Sequence, residues 1–267
     1  GGWGGDVGSR LSEAVLGHAS VREALVLPLA AVYVEVDTVE GLDVDAVENE
    51  RFEKFSIRAQ INTVLILLWR TPEGRAPMLA RAAQEVGAAR QDGLLARFAG
   101  CMLDTLLYEL EEGLRRVREV NQGLWGTEED GGNKQQLEHH KGYARHLFET
   151  SLSTLELLRA LVGEPPLAAV FATGRLATRT AALLLSFLDS LCGKKSLQLK
   201  LKPELRLTDE DFGFKPRELL HGLVSLLLHC AGHAELVGAF ARSDDLDLAV
   251  LRKAAAIMER GHALPPD

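Results

Sequence analysis

With 267 residues, 46% hydrophobic and 25% charged, the chain is long enough for one large domain or two and too apolar to remain disordered. Its 38 acidic against 30 basic residues give a formal net charge of -8, which argues against a nucleic-acid partner, because no face gathers the lysines and arginines that phosphates require. Three cysteines, Cys101, Cys192 and Cys230, are odd in number and far apart, which argues against a disulfide framework and for buried thiols in a reducing compartment.

The chain opens GGWGGDVGSR in place of a methionine. This reads as a fragment or processed product with a flexible leader over residues 1–8, ahead of a helical scaffold over 9–267. Residues 10–17 are apolar-periodic and predict a short helix; Ser20 then looks like the N-cap of a longer one that runs through Val39 and bends at Pro28. An acidic turn at 41–45 leads into RFEKFSIRAQINTVLILLWR, residues 51–70. Here Arg51, Lys54 and Arg58 recur at i, i+3 and i+7, which predicts a stripe facing water, while Phe52, Phe55 and Ala59 point elsewhere. Residues 64–69 are apolar all round, so neighbours must cover every side. The run is too short to span a bilayer.

Pro72 ends this helix near Thr71, and a connecting segment with Gly74 and Pro77 holds one more. The longest predicted helix covers 94–124. Leu95, Phe98, Met102, Leu106, Leu110, Val117, Val120 and Leu124 share one face, and Arg97, Asp104, Glu111, Arg115 and Arg118 lie opposite. Glu111 with Arg115 and Glu112 with Arg116 form i, i+4 pairs worth about 0.2–0.5 kcal/mol each, which places them as solvation of the outer face.

Residues 126–133, GTEEDGGN, predict a mobile surface loop, after which helix resumes through Leu161. Glu164, Pro165 and Pro166 interrupt it, and Pro166 opens a helix over 167–191. Between 193 and 206, Leu197, Leu199 and Leu201 alternate with polar neighbours, the period of a short extended segment along the helical body. Lys215 and Pro216 start a further helix that Gly232 ends, and two more, over 234–242 and 246–260, follow. No fixed-period repeat is present, so any stacking of helical hairpins is irregular. No signal peptide is visible, and the longest stretches without charge, such as 219–234, fall short of a membrane span, which argues against membrane insertion.

Few residues propose chemistry. His229, Cys230 and His233, with His221 two turns earlier, come nearest to a metal site, but no matching cluster supplies the remaining ligands, and core or helix-end histidines are the simpler reading. His139, His140 and His146 read as a solvated surface. Asp209 with Asp211 and Asp244 with Asp245 read as loop and N-cap residues ahead of a catalytic dyad or a Mg2+ site. There is no phosphate-binding glycine loop, no nucleophile elbow and no activated cysteine pattern. Lys194, Lys195, Lys200 and Lys202 form a small basic strip that reads first as a solvated loop and second as a surface for an acidic partner.

Three ordered blocks carry a resemblance. The aromatic, acidic, Lys, Phe, Ile, Arg and terminal Trp pattern of Phe52, Lys54, Phe55, Ile57, Arg58 and Trp69 is one. Phe98, Asp104, Leu107, Tyr108, Glu111 and Leu114 give the second, and Leu199, Lys200, Leu201, Lys202, Phe214, Pro216, Leu219 and Leu220 the third. Together they resemble the core of the ubiquitin conjugation factor E4 family, the U-box ubiquitin-chain elongation factors, over about residues 25–241. The resemblance implies an all-α, armadillo-like solenoid of stacked helical hairpins, with these residues structural and none catalytic, and with neither cofactor nor metal. It implies a C-terminal U-box, absent from this chain, that recruits the ubiquitin-conjugating enzyme. It also implies ubiquitinated substrates, an AAA ATPase segregase and proteasomal shuttle receptors as partners, in proteasomal and endoplasmic-reticulum-associated degradation, in cytoplasm and nucleus. The fragment alone is expected to be inactive. A non-catalytic helical adaptor is the alternative.

Overall fold

The computed structural model describes residues 17–36, 47–90, 92–124 and 134–262, and among these it holds ten α-helices and no strand. They are α1 (Ala19–Glu35), α2 (Val47–Trp69), α3 (Pro72–Gly87), α4 (Leu94–Asn121), α5 (Lys134–Val162), α6 (Pro165–Phe171), α7 (Gly174–Cys192), α8 (Pro216–Cys230), α9 (Ala234–Ala241) and α10 (Leu248–His262). Three 3-10 turns, Lys194–Leu199, Pro203–Leu205 and Asp209–Phe212, join α7 to α8. Proline sets several starts: Pro72, Pro165 and Pro216 open α3, α6 and α8, where a missing N–H costs nothing. At α3 the Thr71 side chain also accepts from the Gly74 N–H at 3.3 Å.

The antiparallel pair α4 and α5 forms the spine. The apolar face of α4 buries Phe98, Met102, Leu106, Leu110, Leu114 and Val117, each contributing roughly 1.5–3 kcal/mol. Gly113 allows the close crossing, since a Cβ there would stand 2.9 Å from Cε1 of Phe148 on α5. On one side α2 packs on α5, α1 on α3 and α4, and α3 on α6; on the other α8 packs on α5, and α9 and α10 on α7. One continuous core results.

Several expectations change. Helix α1 starts at Ala19 after His18, not after a Ser20 cap, and ends at Glu35. Gly74 and Pro77 lie inside α3 itself. Arg58 does not face water: it is fully buried, because acceptors on α1 and α4 wait for its guanidinium. Residues 64–69 are not covered on every side. Leu65 and Leu68 are buried, but Leu67 is 40% exposed, because α1, α3 and α5 reach only part of the α2 surface. The stretch 167–191 is two helices, parted at Ala172 and Thr173, where Gly174 takes φ +43 and Thr173 donates back to the Val170 carbonyl at 2.7 Å. Residues 194–199 are a 3-10 turn and not extended; Leu199 turns inward while Leu197 stays 67% exposed. The leader, the turn at 41–45, the loop at 126–133, most of the helix expected at 10–17 and the side chains of Arg51 and Phe52 lie outside the described residues.

Candidate functional site

The first two blocks meet in a buried polar junction. Each of three helices contributes an i, i+4 pair to it: Arg58 and Asn62 from α2, Thr105 and Glu109 from α4, Thr150 and Thr154 from α5. Arg58 Nε donates to the Tyr33 carbonyl of α1 at 3.1 Å, its Nη1 to Thr105 Oγ1 at 3.3 Å, and its guanidinium lies 4.9 Å from the Tyr33 ring centroid. Thr105 in turn donates to the Cys101 carbonyl at 2.8 Å. Asn62 Nδ2 donates to Thr154 Oγ1 at 3.0 Å, and that hydroxyl lies 3.0 Å from Glu109 Oε2 and 3.1 Å from the Thr150 carbonyl. Burial pushes the Glu109 carboxyl up to about 8, against the opposite pull of Thr154, Thr150 and the Arg58 charge. It raises the Tyr33 phenol as well. The junction therefore holds a guanidinium beside a carboxyl that is neutral through most of the physiological range. Its bonds link α1, α2, α4 and α5 away from solvent.

At its outer edge the same helices build an aromatic ladder. Phe55 stacks on Tyr108 at 4.0 Å and 8°, the Tyr108 and Tyr143 hydroxyls are 2.7 Å apart, and Arg116 lies 5.3 Å from the Tyr143 ring. Arg116 Nε donates to Glu112 at 2.8 Å, and its Nη1 sits 2.6 Å from His140 Nδ1. Partial burial would raise the Glu112 carboxyl, and Arg115 and Arg116 overcome it and hold the group low. Arg116 is thus mostly buried and not on the outer face, and His140 is half-buried beside it, not a freely solvated histidine. Arg115 bonds Glu112 and Glu119, not Glu111.

The third block lies elsewhere, between α7, α8, α10 and the 3-10 turns. Phe214 packs on Phe148 at 4.9 Å, Leu219 and Leu220 are buried, and Pro216 opens α8. Asn121, at the end of α4, fastens this segment: its Nδ2 donates to the Gln198 carbonyl at 2.9 Å and its Oδ1 accepts from the Lys202 N–H at 3.3 Å. Asp211 accepts from the Thr208 N–H at 2.7 Å and its hydroxyl at 3.0 Å, a capping box, and reaches Lys141 at 3.4 Å. A groove of about 640 Å3 opens here, lined by Leu199, Lys200, Leu207 and Phe214 among others.

The structure therefore brings Phe55, Arg58, Phe98 and Tyr108 together and sets Leu199, Lys200, Phe214, Pro216, Leu219 and Leu220 in a second group. Phe98 meets Tyr33 edge-on at 5.0 Å. Lys54 stands 5.5 Å from the Phe55 ring, and Trp69 is half-buried at the end of α2. Ile57 is 43% exposed, Glu111 is exposed, and Asp104 pairs with Arg179. Sequence reasoning missed Asn62, Glu109 and Thr154, although polar pairs at i, i+4 inside apolar stripes were visible on all three helices. It also missed Glu85, a buried carboxylate that accepts from the Leu95 N–H at 3.1 Å and Arg81 at 2.6 Å and so ties α3 to the start of α4. No cluster of three metal-ligating side chains occurs among the described residues, and His229 Nδ1 lies 2.7 Å from the Ser225 carbonyl. Burial pushes the Cys230 thiol up to about 12 and raises Cys192. No single described helix is long and apolar enough to cross a membrane; α8 and α9 reach that composition only jointly, across a 118° bend.

The family model of the ubiquitin elongating factor core matches residues 4–267. The chain belongs to that family. As an elongating factor core it is 24% identical over 228 residues to the probable ubiquitin conjugation factor E4 of Arabidopsis thaliana, covering 80% of this chain and 20% of the relative. It is 22% identical over 204 residues to the E4 ubiquitin-protein ligase UFD2 of Saccharomyces cerevisiae, covering 72% of this chain and again 20% of the relative. The chain spans about a fifth of the length of the curated relatives it matches. The resemblance read from the three blocks holds, and the elongating factor core is all-α throughout its described residues.

Proposed function

We propose that this chain is part of the scaffold of a ubiquitin ligase that lengthens ubiquitin chains on already ubiquitinated substrates. The observation that carries the reading is the family match along residues 4–267, with relatives named as a ubiquitin conjugation factor and a ubiquitin-protein ligase. In this reading residues 9–267 belong to an armadillo-like stack of helical hairpins, and a U-box outside them recruits the charged conjugating enzyme. Transfer runs from that enzyme's thioester to the substrate without a covalent intermediate on the scaffold. The buried thiols of Cys192 and Cys230 agree with this, since raised thiol pKa values suit inert cysteines. The scaffold's task is rigidity, and the locked junction of α1, α2, α4 and α5 supplies it. The wider setting we propose is cytoplasmic and nuclear, with an AAA ATPase segregase and proteasomal shuttle receptors as partners in degradation, including that of endoplasmic-reticulum proteins.

The test is a reconstituted ubiquitination assay with activating enzyme, conjugating enzyme, ATP and a mono-ubiquitinated substrate. The full-length gene product extends the chain and the 267-residue chain alone does not. If the full-length product gives no extension, the ligase reading fails and a non-catalytic adaptor takes its place.

A further inference from the structure

The groove beside the third block has a chemistry that the scaffold role leaves unused. Leu199, Leu207 and Phe214 are at most 9% exposed and form its floor, and Leu197, 67% exposed, stands beside them. A single exposed leucine is ordinary on a surface, but Leu197 lines this groove and so adds to the apolar surface it offers a partner. At about 640 Å3 the groove falls in the size range of pockets that enclose about two or three large side chains.

Its charge is the second observation. Lys200 and Lys253 line the groove from opposite elements, the 194–202 segment and α10, and Lys194 and Lys202 flank Lys200. All four are exposed, and none has a carboxylate within ion-pair distance among the described residues. Lys195, their neighbour, is already paired with Asp189 at 3.4 Å. Among the described residues of the lining Asp209 is the one carboxylate. On a chain of net charge -8 this is a local reversal of sign.

The two observations select one occupant. A basic segment is repelled. A neutral apolar segment fills the floor but strips water from Lys200 and Lys253 without replacing it. A polyanion without apolar side chains pairs with the lysines but leaves Leu197 uncovered. We infer that the groove between the 194–202 segment, α8 and α10 docks an acidic segment of a partner protein, which inserts large apolar side chains between Lys200 and Lys253. The inference stands on the chemistry of the groove and does not require ligase activity. Acidic residues flanking the inserted side chains then set orientation and on-rate, and the apolar floor sets residence time.

A displayed library of random peptides of about twelve residues, selected on the folded 267-residue chain, tests this. Recovered peptides are synthesised with a fluorescein label and titrated by fluorescence anisotropy at about 50 and about 300 mM NaCl. The expected peptides carry Asp or Glu around Leu, Phe or Trp and bind at least about threefold more weakly at the higher salt. They bind about tenfold more weakly to the double variant Lys200→Glu, Lys253→Glu and to Leu197→Ser. Exchanging their acidic residues for Lys abolishes binding to the wild-type chain and restores it on the charge-reversed variant. If the double variant fails to fold by circular dichroism, Lys200→Ala and Leu197→Ser, both at exposed positions, carry the comparison. The inference is overturned if no peptide is recovered, if the peptides lack acidic residues, or if charge reversal leaves binding unchanged. It is equally overturned if polyglutamate binds as well, which assigns the strip to bare charge, or if the peptides match this chain's own sequence, which assigns the groove to a second copy.

Discussion

Replacing Glu109 by Gln isolates the charge state of the buried junction. Gln keeps the size of the side chain and is neutral at every pH. In the wild-type chain burial moves the carboxyl from 4.5 to about 8. The folded state therefore binds a proton that the unfolded state has released between those values, and stability is fully present below about 4.5 and lost as pH rises through about 8. The slope is at most about 1.4 kcal/mol per pH unit, so between pH 5.5 and 7.5 this one group removes about 2–3 kcal/mol. Glu109→Gln deletes that dependence. Because the wild-type group is mostly neutral at pH 6, the substitution there costs about 1 kcal/mol or less, the scale of one altered hydrogen bond to Thr154. Urea titrations of both proteins at half-unit steps from pH 5 to 8.5 measure the difference directly. Parallel pH profiles, or a loss above about 3 kcal/mol at pH 6, the scale of breaking a buried ion pair, would refute a neutral Glu109.

Two further substitutions probe the same spine. Arg58→Met keeps the bulk of the side chain but leaves the Tyr33 carbonyl and the Thr105 hydroxyl without their donor; two charge-assisted bonds less the recovered desolvation give a loss of about 2–4 kcal/mol in urea unfolding, and a variant as stable as wild type would show that the guanidinium locks nothing. Gly113→Ala drives a methyl to 2.9 Å from Phe148, an overpacking cost of about 1–3 kcal/mol that outweighs the gain of up to about 1 kcal/mol in helix propensity, so the thermal midpoint falls, and a rise would mean that α4 and α5 separate freely.

Local signals were legible where local chemistry decides. The apolar stripe from Leu95 to Leu124 outlined α4, although the helix ends at Asn121 and leaves Leu124 62% exposed; Pro72 marked where α2 gives out, and Pro216 marked the start of α8, where a proline costs little. The resemblance rested on residues that now divide into two groups, and their spacing gave no hint of that division. Arg58 was misread because a polar residue at i+7 of a charged stripe normally faces water. Its burial depends on a carbonyl of α1 and a hydroxyl of α4, 25 and 47 residues away, which no local pattern encodes. The 194–199 turn was misread for a different reason. Alternating leucines fit an extended segment, but its leucines do not share an environment here: Leu199 is inside and Leu197 outside, because Asn121 pins the Gln198 carbonyl and the Lys202 N–H in place.

That double hold by Asn121 makes the length of α4 a measured quantity. The groove wall is a short 3-10 turn that takes its position from the last residue of a helix 28 residues long. One residue inserted anywhere between Gly113 and Asn121 rotates the amide by about 100° and advances it about 1.5 Å, which releases both bonds at once. The opposite end of the helix, gripped by Glu85 through the Leu95 N–H, fixes the starting phase. α4 thus acts as a ruler that transmits register from one flank of the molecule to the other, and a protein engineer grafting a new peptide onto this surface must preserve the count of residues between those two anchors.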